Sequence, residues 1–279
     1  MSIEDQGIAE TLLKAGAASV EVRSIGNGIP FSIVPTEYAA ADLEAFLPAP
    51  VRKRGAIIAS DANGFIDYLN KHATVDVSMI YADIDSEKSR CILVGVIDDH
   101  SKEGAQWRQH TCTFAPKQSV EWTRWVGKNK AVMKQEEFAA WLEDNLPDVA
   151  NVPGMPSGAD ILAMALGFEA TYDKRVKSKM NLQSGGVQFE FVEDENKDTR
   201  TTMKVFERFT IGVPVFDGST SAYPLEARIK YRMADGAVKF WYELIRPDRV
   251  FKTAVQDELA NIKEGTGLQV ISGIAGLRL

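Results

Sequence analysis

Arg228, Lys230 and Arg232 stand at every second position of one stretch, and Lys239 and Trp241 follow at the same spacing shortly after. A period of two puts such residues on one face of a β-strand, about 6–7 Å apart. Guanidinium forks beside an indole ring suit phosphates, small anions and single-stranded nucleic acid. The same pattern also describes a solvated sheet face on which Glu226 and Glu243 pair some of the cations, and exposed pairs of that kind are only marginally stabilising. An acidic patch on a neighbouring subunit is a third partner for it.

A second group of reactive types is Asp98-Asp99-His100, just past the end of an apolar run, with Asp83, Asp85 and His110 nearby in sequence. Carboxylates with His hold Mg²⁺, Mn²⁺ or Zn²⁺, and two bridged metals serve phosphodiester hydrolysis. No HExxH or paired CxxC supports the group; His110 and Cys112 share a strand face, but zinc needs two more ligands. Loop carboxylates and a strand-end histidine are the plainer description. Trp107, Trp122, Trp125, Trp141 and Trp241 form a third group, and helical spacing of Trp122 with Trp125 fits a core or a subunit interface. The chain has no GxxxxGK[ST], no GxGxxG after a strand and no GxSxG. No catalytic residue and no cofactor is assigned, so the sequence points to binding before catalysis.

The elements that must position these residues follow from periodicity. Residues 223–231 alternate apolar and charged, Asp235-Gly236 suits a tight turn, and 238–245 alternate again. With 203–211, ended by Gly212 and Pro214, this predicts a three-stranded antiparallel meander. Further strands are expected at 77–83, 90–97 and 106–115, with short ones at 19–23, 31–34 and 187–192. Helices are expected at 3–15, 37–47, after Asp61 as N-cap through Leu69, around Trp122–Trp125, at 135–145, at 159–179 and at 249–264. The helix over 159–179 is expected to be the longest, with Lys174, Arg175, Lys177 and Lys179 at its cationic end. Pro147, Pro153, Gly154, Pro156 and Gly158 mark a linker, dividing an N-terminal α+β region, 1–150, from a C-terminal region, 151–279, that holds the long helix, the meander and the closing helix. The two halves either fold separately or share one core. The fold class is α+β: antiparallel meanders packed with amphipathic helices, not a doubly wound parallel sheet.

Composition narrows the setting. The 279 residues are 45% hydrophobic and 25% charged, as in a globular protein. No apolar run is long enough for a membrane span, and the N-terminal residues do not read as a signal peptide. Two cysteines make no disulfide framework, and a cytoplasmic location is expected. The net charge of −7 opposes a protein coated for nucleic acid. Yet residues 171–252 carry 15 Lys/Arg against 12 Asp/Glu, a local excess of positive charge.

Glu121-Trp122, Trp125, Met133, Gln135, Phe138-Ala139 and Leu142-Glu143-Asp144 carry a family resemblance. It continues through Ser157-Gly158-Ala159-Asp160, Asn181-Leu182, the run 209–218, Ala227-Arg228, Tyr231-Arg232 and 242–246. The chain resembles the YfdQ-like family of uncharacterised phage and prophage proteins from about residue 40 onward. The resemblance implies a viral origin and work inside a bacterial host, and it carries no catalytic residues across.

The first expected function is therefore a phage accessory protein acting in the host cytoplasm by binding and homo-oligomeric assembly. Its partners are then other copies of itself and a host factor or small anionic signal sequestered against host defence. The alternative is a single-stranded nucleic-acid-binding protein of phage replication or recombination, using the basic ladder and Trp241. A metal-dependent nuclease using Asp98, Asp99 and His100 is the last alternative.

Overall fold

The computed structural model describes residues 3–18, 23–25, 29–31, 44–167, 177–178, 188–190, 203–234 and 237–276. The chain divides into two compact units, Met1–Lys53 and Arg54–Leu279. The first contains α1 (Ile3–Ala18), an antiparallel pair of β1 (Arg23–Ile25) and β2 (Ile29–Phe31), and a 3₁₀ turn at Glu44–Phe46. Ile8, Leu12 and Leu13 share the predicted stripe on α1 and are exposed. Of the helix expected at 37–47, residues 37–43 lie outside the described residues and the rest is only the 3₁₀ turn.

The second unit is built on two sheets. Its first part runs β3 (Gly55–Ala59), α2 (Ala62–His72), β4 (Met79–Asp85), β5 (Arg90–Val96) and β6 (His110–Phe114). Then come α3 (Val120–Gly127), β7 (Met133–Lys134), α4 (Gln135–Asp144) and α5 (Gly158–Gly167). Three very short strands, β8 (Lys177–Ser178), β9 (Gln188–Glu190) and β10 (Met203–Lys204), pair in the order β10-β9-β8. The chain continues with β11 (Arg208–Val213), β12 (Tyr223–Ala234), β13 (Ala237–Leu244), α6 (Pro247–Thr266) and β14 (Gln269–Ser272).

The five-stranded sheet has the order β14-β4-β5-β6-β3, and the four-stranded sheet the order β11-β12-β13-β7. Pairing is antiparallel except at the flanks of the larger sheet, where β14 runs parallel to β4 and β3 parallel to β6. The α+β class expected from the sequence is what the fold shows. Asp61 starts α2 as predicted: its Oδ1 accepts the Gly64 N–H at 2.7 Å. The helix then lays Phe65, Leu69 and part of Tyr68 against the sheet face that carries His110, Cys112 and Phe114. Gly95 on β5 makes this approach possible, because a Cβ there would sit 2.7 Å from Leu69 Cδ2. Gly95→Ala is expected to destabilise the protein by about 1–3 kcal/mol through overpacking. Adding Leu69→Val, which shortens the clashing side chain, should recover part of that loss in a urea titration; a loss unchanged by the second substitution would place the strain elsewhere.

Buried side chains from Phe65 to Leu268 form one cluster. At its centre Trp125 meets Trp141, Phe209 and Tyr242 with ring centroids 5.7, 5.9 and 5.1 Å away. Phe138 on α4 stacks on Phe240 of β13 at 5.1 Å. The segment 147–158 lies inside this unit: Val149 bridges to Ile211, and the Ala150 N–H donates to the Thr210 carbonyl at 2.9 Å. That contact covers the outer edge of β11.

Several expected elements are corrected. The helix expected at 159–179 is described over Gly158–Gly167 and does not reach 179, because Lys177 lies in a strand; residues 168–176, with Lys174 and Arg175, and Lys179 lie outside the described residues. Residues 106–109 belong to a loop, in which the Arg108 and Gln109 N–H groups donate to Asp98 and the Gln106 N–H donates to His100. The run 203–211 is two strands with a break at 205–207. β14 has no counterpart among the expected strands.

The longest described helix is instead α6, with Pro247 at its first turn and Gly267 closing it in the left-handed region at φ 67°. It packs on α2, β12 and β14, and so joins the two sheets. Glu258 on this helix is half-buried, and its Oε1 has no hydrogen-bond partner among the described residues. Burial raises the pKa of this carboxyl. Its contribution to stability is present when the carboxyl is protonated and is lost as pH rises through the raised value. Glu258→Gln is therefore expected to raise the melting temperature at pH 7.5 and to leave it unchanged near pH 4. Equal shifts at both pH values would sink this assignment.

Candidate functional site

β12 and β13 alternate as the sequence predicted, and the register fixes what that alternation presents. Leu225, Ala227 and Ile229 of β12 and Val238, Phe240, Tyr242 and Leu244 of β13 are buried against α3, α4 and α6. The opposite face looks out. There Arg228 pairs with Glu243, Lys230 with Trp241 and Arg232 with Lys239. The structure thus brings all five ladder residues, Arg228, Lys230, Arg232, Lys239 and Trp241, onto one surface. The hairpin register closes at Ala234 and Ala237, and the turn residues Asp235 and Gly236 lie outside the described residues.

Two further cations join this surface from distant parts of the chain. Arg208 of β11 lies opposite Arg228, and Lys134 of β7 lies opposite Lys239. With strands about 4.8 Å apart and alternate residues about 6.7 Å apart, Arg208, Arg228, Lys230, Arg232, Lys239 and Lys134 form a diagonal band. The band runs from one edge of the sheet to the other over roughly 20 Å. Arg208 was legible as an alternate position of a predicted strand. Lys134 was not, because a two-residue strand leaves no periodicity to read.

The carboxylates of this face, Glu226 and Glu243, are fewer than its cations. Glu226 reaches Arg208 at 3.7 Å. Glu243 accepts the indole N–H of Trp241 at 3.2 Å, which orients the ring. The Arg232 guanidinium lies 5.9 Å from the Trp241 ring centroid, a cation–π distance. Arg228 and Lys230 have no ion-pair partner among the described residues.

Asp98, Asp99 and His100 are close together, but their polar atoms hold the loop. Asp98 accepts the Gln109 and His110 N–H groups at 2.9 and 2.8 Å. Asp99 accepts the Tyr81 hydroxyl at 2.7 Å and the His100 N–H at 2.8 Å, and it faces Arg108 Nε at 2.8 Å. His100 Nδ1 accepts the Gln106 N–H at 3.0 Å. Arg108 in turn donates to the Ala275 carbonyl at 2.6 Å and lies over the Tyr81 ring. This network ties the loop to the residues after β14. Among the described residues, no group of three His, Cys, Asp or Glu is arranged to hold a metal ion. Asp83 is occupied by Arg90, and His110 Nε2 meets the Tyr68 hydroxyl at 2.8 Å. Cys91 and Cys112 are buried free thiols, pushed up by burial to about 12 and about 11.

Of the tryptophans, Trp122 and Trp125 are core, Trp141 packs partly buried beside them, and Trp107 is exposed in the loop that Asp98 closes. Trp241 is the indole that belongs to the basic face.

No helix among the described residues is long and apolar enough to cross a membrane. Comparison with the curated proteins gives no match, and comparison with the solved structures gives none. The family model described as "Uncharacterized conserved protein (DUF2303)" matches residues 4–275, and the chain belongs to that family.

Proposed function

We propose that this is a binding protein without catalytic chemistry, which takes single-stranded nucleic acid on the outer face of the four-stranded sheet. One observation carries the reading: the diagonal band of six cations, five of them exposed and Lys239 half-buried, with Trp241 beside its centre. Phosphates are met by the cations, and an unstacked base has the Trp241 ring to lie on. A band of roughly 20 Å is longer than a small anion needs, which favours an extended polyanion over a captured signal molecule. The overall charge of −7 limits unspecific binding elsewhere, so affinity depends on this face. The YfdQ-like resemblance supports a role in phage replication or recombination in the bacterial cytoplasm. Sequestration of a small anion is the second reading, and the same cations support it.

The test is fluorescence anisotropy of a labelled oligothymidylate, with Trp241 emission followed in parallel. Binding is expected at low salt, with quenching of Trp241. Six phosphate contacts predict a slope of log K against log [salt] of about −4. No binding at low salt removes this proposal.

A further inference from the structure

Two side chains fix the ring of Trp241. Glu243 accepts the indole N–H at 3.2 Å, and the Arg232 guanidinium lies over the ring, 5.9 Å from its centroid. Arg232 stands opposite Lys239 and Trp241 opposite Lys230, so Arg232 and Trp241 are diagonal neighbours on adjacent strands. Diagonal positions lie about 7–8 Å apart, within reach of long side chains and rings. Arg232 is exposed, and among the described residues its guanidinium has no carboxylate partner.

A guanidinium is planar and stacks on bases as well as on aromatic rings, which an ammonium does not. Held over a fixed indole, it bounds a slot. Stacked bases repeat at about 3.4 Å, so a base between guanidinium and indole needs about 6.8 Å. The guanidinium then withdraws by at least about 1 Å, a small move for an exposed arginine. Lys230 lies across the sheet from Trp241 and Lys239 lies two residues along β13, where both can meet the phosphates that flank such a base. We propose that Arg232 and Trp241 clamp one unpaired base between them, and that this clamp makes the face select single strands over duplex. The proposal rests on the nucleic-acid reading of this face, and it narrows the substrate to a strand whose bases are free to leave the stack. In a duplex each base is covered by its neighbours, so a base must first be unpaired and unstacked to enter. Arg232 is thereby a specificity-determining residue, whereas the other cations of the band serve phosphates, which single strands and duplexes both carry.

The test is fluorescence anisotropy at fixed low salt with three labelled probes of equal length: an oligothymidylate, an abasic single strand and a duplex. Thermal melts confirm folding. The wild type is expected to bind the oligothymidylate roughly tenfold more tightly than the abasic strand, with the same salt slope. Arg232→Lys keeps the charge and loses the plane. It should lower oligothymidylate affinity about fivefold or more, leave the abasic strand and the salt slope unchanged, and shrink the preference over duplex. If the wild type binds none of the probes, the nucleic-acid reading itself fails and the clamp with it. Equal binding of oligothymidylate and abasic strand leaves a phosphate-binding face but refutes the clamp, and this comparison needs no variant. An Arg232→Lys protein that keeps the wild-type base preference, or that weakens both strands alike, also refutes it. Tighter oligothymidylate binding by Arg232→Lys would make Arg232 a cover on the ring and would overturn the proposal too.

Discussion

Replacing Arg228, Lys230 and Arg232 together by alanine is expected to weaken binding of a single-stranded oligonucleotide by roughly 10²–10³-fold at about 50 mM salt. The size follows from counterion release. Each phosphate contact on a single strand contributes about 0.7 to the salt slope, so three lost cations flatten it by about 2. At 50 mM salt this corresponds to nearly three decades of affinity. All three side chains are exposed, and Arg228 and Lys230 have no ion pair to lose, so the fold should tolerate the change. Alanine is a weaker strand former than the residues it replaces, at a cost of about 1 kcal/mol or less for each substitution. Trp241→Ala should act differently. It removes stacking worth about 1–3 kcal/mol per base and leaves the salt slope unchanged. A triple variant that melts like wild type and binds with the same slope would mean that this face is not the site.

The second large effect is expected in the core. Trp125→Ala should lower stability by about 3–5 kcal/mol, a large share of the 5–15 kcal/mol usual for a folded protein. Trp125 is fully buried, and three aromatic rings close around it. Its indole N–H also donates to Asp148 Oδ2 at 2.7 Å, so truncation leaves that carboxylate without its partner. Its own carbonyl accepts the Tyr242 hydroxyl at 2.7 Å, a bond the substitution retains only if the helix stays in place. Trp125→Phe keeps a ring in the cavity and should lose less. Urea titrations of both variants measure this, and an unchanged midpoint for Trp125→Ala would contradict the packing described.

The basic face was legible in the sequence because two long strands alternate strictly and a turn of two residues sets their register. Where one face must be buried, a slip by a single residue would expose Phe240 and Tyr242 and bury Lys239 and Trp241. That penalty is what makes the pattern readable. Trp122 and Trp125 were legible as core for a similar reason, since their helical spacing leaves one face for both. The loop at 98–109 was not. Asp98 and His100 look like ligands in sequence, but their hydrogen bonds to Gln106, Gln109 and His110 exist only once the loop has closed. β14 was also hidden, since four residues after a helix cap carry too little pattern to announce a parallel pairing with β4. The apolar spacing after residue 158 suggested a helix through Lys179, whereas Lys177 and Ser178 pair as a strand, a pairing that two residues are too few to announce.

The placement of α6 and β14 bears on how the protein is made. Gln269 pairs with Met79, about 190 residues earlier in the chain. At about 5–20 residues per second, a ribosome needs roughly 10–40 s to deliver one after the other. During that interval β4 has no neighbour on its outer side, and α2 lacks the helix that packs on it. The nascent second unit therefore carries an open sheet edge and exposed apolar surface, the kind of surface that chaperones bind. The last strand of the five-stranded sheet and the helix that covers β12 of the four-stranded sheet come from the same stretch of chain, so the unit is expected to reach its final stability late.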